Sequence, residues 1–77
     1  MRFNEGDVVR ISKDSTYFGR SNDNPRNVNG IITRINELTG LIMPITVEWV
    51  GGEVNVYREI DLKLVRRKNE ISNWRHC

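Results

Sequence analysis

Seventy-seven residues, a net charge of +2 and one cysteine describe a single small domain and exclude an internal disulfide. No apolar run reaches the length of a membrane span, and no apolar signal region precedes Gly6, so a soluble protein in a reducing, cytoplasmic setting is expected. A chain this short buries only around 60% of its unfolded surface, so its core has to be compact.

Gly6-Asp7-Val8-Val9-Arg10-Ile11 reads as a first strand with Val9 and Ile11 inward and Val8 and Arg10 outward. Lys13 to Asn29 is polar, rich in turn formers and free of helical periodicity, which predicts a long loop carrying two aromatics, Tyr17 and Phe18. Gly30 to Ile35 is a second strand. Its isoleucines at 31, 32 and 35 break strict alternation and predict a bulge. After the turn at Asn36–Gly40, Leu41 to Val50 gives a third strand, with Pro44 marking an edge or kink near its start. Glu53 to Tyr57 is a fourth strand. Asp61 to Val65 is a fifth, preceded by one helical turn at Arg58–Ile60.

The strongest local signal is Gly51-Gly52 between two alternating runs. A two-residue turn there sets Val50 opposite Glu53, Trp49 opposite Val54 and Val47 opposite Val56. Ile45, Val47, Trp49, Val54 and Val56 then share the inner face, while Glu48, Glu53, Asn55 and Tyr57 share the outer one. Five short strands, a long first loop and no amphipathic helix predict an all-β fold, either a small barrel or a pair of packed sheets. Residues 1–65 form the domain. Residues 66–77 form a short basic C-terminal tail, disordered or with one helical turn that sets Ile71 and Trp74 on one side.

The order Gly6-Asp7-x-Val9-x-Ile11, long loop, Gly30-x-Ile32, Val47-Glu-Trp49-x-x-Gly52, Tyr57-Arg58 and Asp61-Leu62-x-Leu64 resembles the SH3-like barrel of the mind-bomb ubiquitin-ligase domains. There a strand-borne Trp, a Gly turn, a Tyr-Arg pair and a closing Asp-Leu recur in this order. The first half is also similar to the KOW motif of ribosomal proteins and NusG-type transcription factors, in which Gly-Asp-x-Val leads through a loop to Gly-x-Val. The resemblance spans Gly6 to Val65 and implies a five-stranded SH3-like barrel. It implies a peptide-binding role on the mind-bomb side and a nucleic-acid-binding role on the KOW side. A free-standing domain of this size also resembles the accessory proteins of large tailed phages, which bind and redirect host factors.

Catalysis and metal binding have little to stand on. The one histidine, His76, neighbours the one cysteine, Cys77, at the end of the chain, where no third group orients them. A structural zinc site needs four ligands, and no spaced Cys/His partners exist. No enzymatic role, cofactor, metal or small-molecule substrate is expected. Trp49 reads as a core anchor. Tyr57, beside Arg58 on the predicted outer face, is either a platform for a partner or packing for the long loop. Tyr17 and Phe18 each divide between plugging the barrel's open end and contacting a partner.

Charge is unevenly spread. Through Val65 eight cations face nine anions, a net −1, while the tail carries Arg66, Arg67, Lys68 and Arg75 against Glu70, a net +3. Nine of the twelve cations are arginine, which suits bidentate pairing and stacking. Arg20 and Arg26 in the loop join Arg66, Arg67 and Lys68 as one candidate basic rim, against the plainer reading of a solvated surface.

These features predict a non-enzymatic module that binds another protein through the long loop and the outer face of the hairpin. Its candidate contact residues are Tyr17, Phe18, Arg20, Arg26, Tyr57, Arg58, Arg66, Arg67 and Lys68. The alternative is nucleic-acid binding, with the arginines on phosphate and the aromatics stacked on bases. The chain is expected as a monomer or a weak homo-oligomer, the latter through a strand edge near Leu41–Met43.

Overall fold

The structure, a computed structural model, describes residues 3–21, 24–36 and 43–68. Five antiparallel strands, β1 (Val8–Ile11), β2 (Gly30–Ile35), β3 (Ile45–Trp49), β4 (Val54–Tyr57) and β5 (Leu62–Arg66), form one sheet of order β4-β3-β2-β1-β5. One turn of 3-10 helix, Glu59–Asp61, joins β4 to β5. The fold is all-β, as the alternating runs predict. Every strand contributes to one apolar cluster: Val9 and Ile11, Ile32, Ile45 with Val47 and Trp49, Tyr57, and Leu62, joined by Phe3. A single sheet can gather side chains from all its strands in this way only by curling around them. The described edge strands β4 and β5 are not hydrogen-bonded to each other, so the expected barrel is a curled sheet without closure by hydrogen bonds.

The bulge expected in β2 is present. Ile32 pairs with Val47 and Arg34 with Thr46, which leaves Thr33 as the extra residue. This resets the alternation: Ile32 points into the core, Ile31 and Arg34 lie exposed, and Ile35 turns back to pack against the core. Gly30 is set by close approach. It pairs with both Val9 and Trp49, and a Cβ there would lie 2.5 Å from Trp49 Cε3 and 2.6 Å from Val47 Cγ1. The indole ring occupies the space a side chain would need.

The hairpin departs from its predicted register by one residue. Glu48 pairs with Val54, Val47 with Asn55, Thr46 with Val56 and Ile45 with Tyr57. The turn has three residues rather than two. Trp49 N–H donates to Glu53 O (2.8 Å), Gly52 N–H donates to Trp49 O (2.8 Å), and Gly52 has φ +95°. This is the three-residue hairpin loop that ends in a left-handed residue, and glycine carries that φ without strain. A one-residue slip turns a whole strand over. Val54 and Val56 therefore lie exposed on the outer face, and Tyr57 is fully buried on the inner one, the reverse of the expected arrangement. β3 keeps its predicted faces, with Ile45, Val47 and Trp49 buried. Pro44 stands just before β3, and its carbonyl accepts from Asn36 N–H (2.9 Å) rather than marking a sheet edge.

Two buried carboxylates fasten the loops to this sheet, one at each end of β1. Asp7 accepts from Asn4 N–H, from Arg67 Nη1 (3.1 Å) and from the backbone N–H of Lys68 (3.1 Å). The first residues of the expected tail are thus tied to the start of β1, and β5 itself runs through Arg66. Asp61 accepts from Arg58 Nε (3.0 Å) and Nη2 (3.2 Å), from Arg58 N–H, and from Ser15 Oγ (2.9 Å). Ile71, Trp74, His76 and Cys77 lie outside the described residues, as do Leu41 and Ile42 of the expected free edge.

Candidate interaction surface

Register alone assembles the outer face of the sheet. Successive cross-strand pairs join Val54, Glu48, Ile31, Val8 and Arg66 into one row that crosses all five strands in the order β4-β3-β2-β1-β5. Ile31 is 51% exposed and Val54 54%, while Val8 is nearly covered. Beside the row, Val50 in the hairpin loop is 79% exposed and is held against the end of the long loop by its N–H donating to Asn29 O (3.2 Å). Val8, Ile31 and Val50 line a shallow groove of about 370 Å³, with Glu48 on one side and Arg66 on the other. Exposed valine and isoleucine scattered singly would need no explanation; here Ile31 and Val50 share one groove and form an apolar patch.

The inner face of the same hairpin is closed to partners. Trp49 Nε1 donates to Tyr57 Oη (3.1 Å), and Tyr57 Oη donates to Asn24 Oδ1 (2.7 Å). Asn24 Oδ1 also accepts from Asn55 Nδ2 (3.1 Å). The Tyr57 ring meets Trp49 edge-on at 5.7 Å and Tyr17 edge-on at 6.1 Å. Tyr57 therefore packs under the long loop and is no outer-face platform. Its hydroxyl tethers that loop to the core.

The remaining predicted contact residues fall into separate groups. Tyr17 and Phe18 are half-buried and both pack against the core. Arg26 lies over the Phe18 ring, its Cζ 5.5 Å from the centroid, and Arg20 donates from Nε to Thr16 O (2.7 Å). Arg58 is engaged by Asp61. Arg66 ends β5 and Arg67 and Lys68 follow it at the Asp7 end of β1, whereas Arg58 and Asp61 sit at its Ile11 end, where Ser12 N–H donates to Asp61 O. Arg20 and Arg26 thus make contacts within the long loop, and Arg58 stands at the other end of β1 from Arg66, Arg67 and Lys68.

Burial pushes the Asp61 carboxyl up, but hydrogen bonds from Arg58 and Ser15 outweigh it, and its pKa lies below the ordinary value. The same hydrogen bond and charge raise the pKa of the Arg58 guanidinium. Sequence reasoning missed the roles of Asp7, Asp61, Ser15 and Asn24, and placed Val54 and Val56 inward. The one signal that pointed to the outer face was Ile31, an apolar residue out of phase with its strand. Among the described residues no group of three or more His, Cys, Asp or Glu could hold a metal ion. Nor, among the described residues, is any helix long and apolar enough to cross a membrane.

No protein-family model matches the chain, and no curated protein matches it in sequence. Among solved structures it is similar to the NMR structure of the Bacillus subtilis protein YorP, with a TM-score of 0.64 at 17% identity. The match covers 86% of this chain and 73% of that one. Identity this low speaks for the fold and not for what either protein does.

Proposed function

We propose that this chain is a non-enzymatic protein-binding module that meets its partner through the outer face of the hairpin and the adjoining strand β2. The observation that carries this reading is the grouping of Ile31 and Val50, each more than half exposed, in one groove, with exposed Val54 next to its Glu48 wall. The mind-bomb-like order of motifs and the resemblance to accessory proteins of large tailed phages point in the same direction, and we place the module in the cytoplasm. Burial of Tyr57 takes away the aromatic best placed for stacking on a base. The KOW-like nucleic-acid reading then rests on Phe18 and the loop arginines.

Ile31→Lys and Val50→Lys place a charge in the groove without touching the core. Wild type and both variants, immobilised at equal loading, are compared for what each retains from lysate, with the fold checked by circular dichroism. Proteins retained by wild type and lost from both folded variants support the reading. Identical retained sets would rule the groove out. Binding to DNA or RNA that falls steeply with added salt would favour the alternative.

A further inference from the structure

The groove's two charged walls are placed with a symmetry that the apolar residues alone do not reveal. Along the row Val54–Glu48–Ile31–Val8–Arg66, a negative charge stands one strand to one side of the central pair Ile31–Val8, and a positive charge stands one strand to the other. We propose that this face is self-complementary, and that a second copy of the chain docks on it about a two-fold axis running along the strands between β1 and β2. That operation turns one sheet face-down on the other and reverses the order of the row. Ile31 then lies over the second copy's Val8, and Glu48 over its Arg66, and each pair occurs twice.

The next row obeys the same operation. Arg10 pairs with Lys63 across β1 and β5, and Arg10 Nε donates to Asn29 Oδ1 (2.8 Å). Reversal sets Arg10 over the second copy's Asn29 and Lys63 toward its Val50; the two Arg10 guanidinium groups flank the axis, each held by its own Asn29. Arg34 lies beyond Glu48, beside Thr46, outside the groove. A patch two rows deep and four strands wide, β3-β2-β1-β5, belongs to the small, transient class of interfaces, so the dimer comes apart on dilution. The inference rests on the same face as the proposed function and names one partner for it.

Charge exchange tests it. Sedimentation velocity over a concentration series is expected to show a monomer–dimer equilibrium for wild type. Glu48→Arg alone sets two arginine pairs face to face, and Arg66→Glu alone sets two glutamate pairs. Each is expected to weaken dimerisation about tenfold or more, because like charges across an interface are strongly unfavourable and the axis counts every pair twice. Both residues are exposed, so neither change threatens the fold. The decisive sample is the equimolar mixture of the two single variants: every pair in the mixed dimer is again of opposite sign, and native mass spectrometry should find the heterodimer in preference to either homodimer. A wild type that stays monomeric at the highest attainable concentration overturns the proposal. So does a dimer indifferent to both reversals, or a mixture that does not restore pairing. If wild type is monomeric yet retains a partner that Ile31→Lys loses, the self-docking inference fails while the protein-binding reading stands.

Discussion

The two faces of this sheet are made by the same strands and finished in different ways. On the concave face Trp49 and Tyr57 meet edge-on, and each polar atom they carry into the core is paired, down to the Asn24 amide that reaches in from the long loop. On the convex face Ile31 and Val50 stand in solvent in a groove between Glu48 and Arg66, and Val54 stands in solvent beyond Glu48. The first face is complete within one chain. The second presents apolar surface and two opposed charges that form no ion pair among the described residues. On the reading proposed above, the apolar surface left outside so small a core is kept for a partner.

The largest test of that contrast falls on the concave face. Trp49→Ala removes the biggest buried side chain and leaves the Tyr57 hydroxyl without one of its partners. A buried Trp-to-Ala change costs about 3–5 kcal/mol, against the 5–15 kcal/mol that typically holds a domain together. Urea denaturation should show the midpoint shifted far down or the transition lost. Gly30→Ala comes next. Its new methyl lands on the Trp49 ring and on Val47, and overpacking of this kind costs about 1–3 kcal/mol. An unchanged midpoint would mean that the ring does not lie over Gly30.

Asp61 tests how the long loop is held. Replacing it with Asn keeps the shape but removes the charge that Arg58 and Ser15 bind. The loss should be about 1–3 kcal/mol, toward the lower figure because Arg58 is partly exposed and screened. The pH dependence has a definite sign. The native carboxyl has a lowered pKa, so its contribution is complete above the unfolded value of about 3.9. It is lost as pH falls through the lower native value. Thermal melts from neutral pH downward should therefore show wild type and Asp61→Asn converging as the acid limit is reached. A constant gap down to that limit would contradict the shift.

The architecture was legible in the sequence where one residue type decides it. Alternation in Val47-Glu48-Trp49, the misfit of Ile31 and Ile32, and the turn formers between Lys13 and Asn29 lead directly to β3, the β2 bulge and the long loop. The hairpin register was not legible, because Gly51-Gly52 serves a two-residue turn and a three-residue turn equally well. The choice between them lies in long-range packing: only one register brings Tyr57 to the Trp49 indole and to Asn24. The Asp7 and Asp61 clasps were hidden for the same reason. Asp7 is joined to Arg67 across 60 residues of sequence and Asp61 to Ser15 across 46. Since the outer face inherits its composition from the register, the candidate site shifted with it, from Tyr57 and Arg58 to Ile31, Val50 and Val54.

The smallest expected effect is therefore the most telling one. Val56→Thr changes a methyl to a hydroxyl at nearly constant shape. Buried in the core, as a two-residue turn would have it, the hydroxyl would cost about 1–3 kcal/mol. On the outer face opposite Thr46, where Val56 is 42% exposed, threonine is an excellent strand residue and the change should fall within about 0.5 kcal/mol of zero. Chemical denaturation of this variant beside wild type decides between the two registers without any partner in hand. A loss of more than about 1 kcal/mol would turn β4 back over. Val54 and Val56 would go with it into the core, and the convex face would lose part of the apolar surface on which both the binding reading and the self-docking row depend.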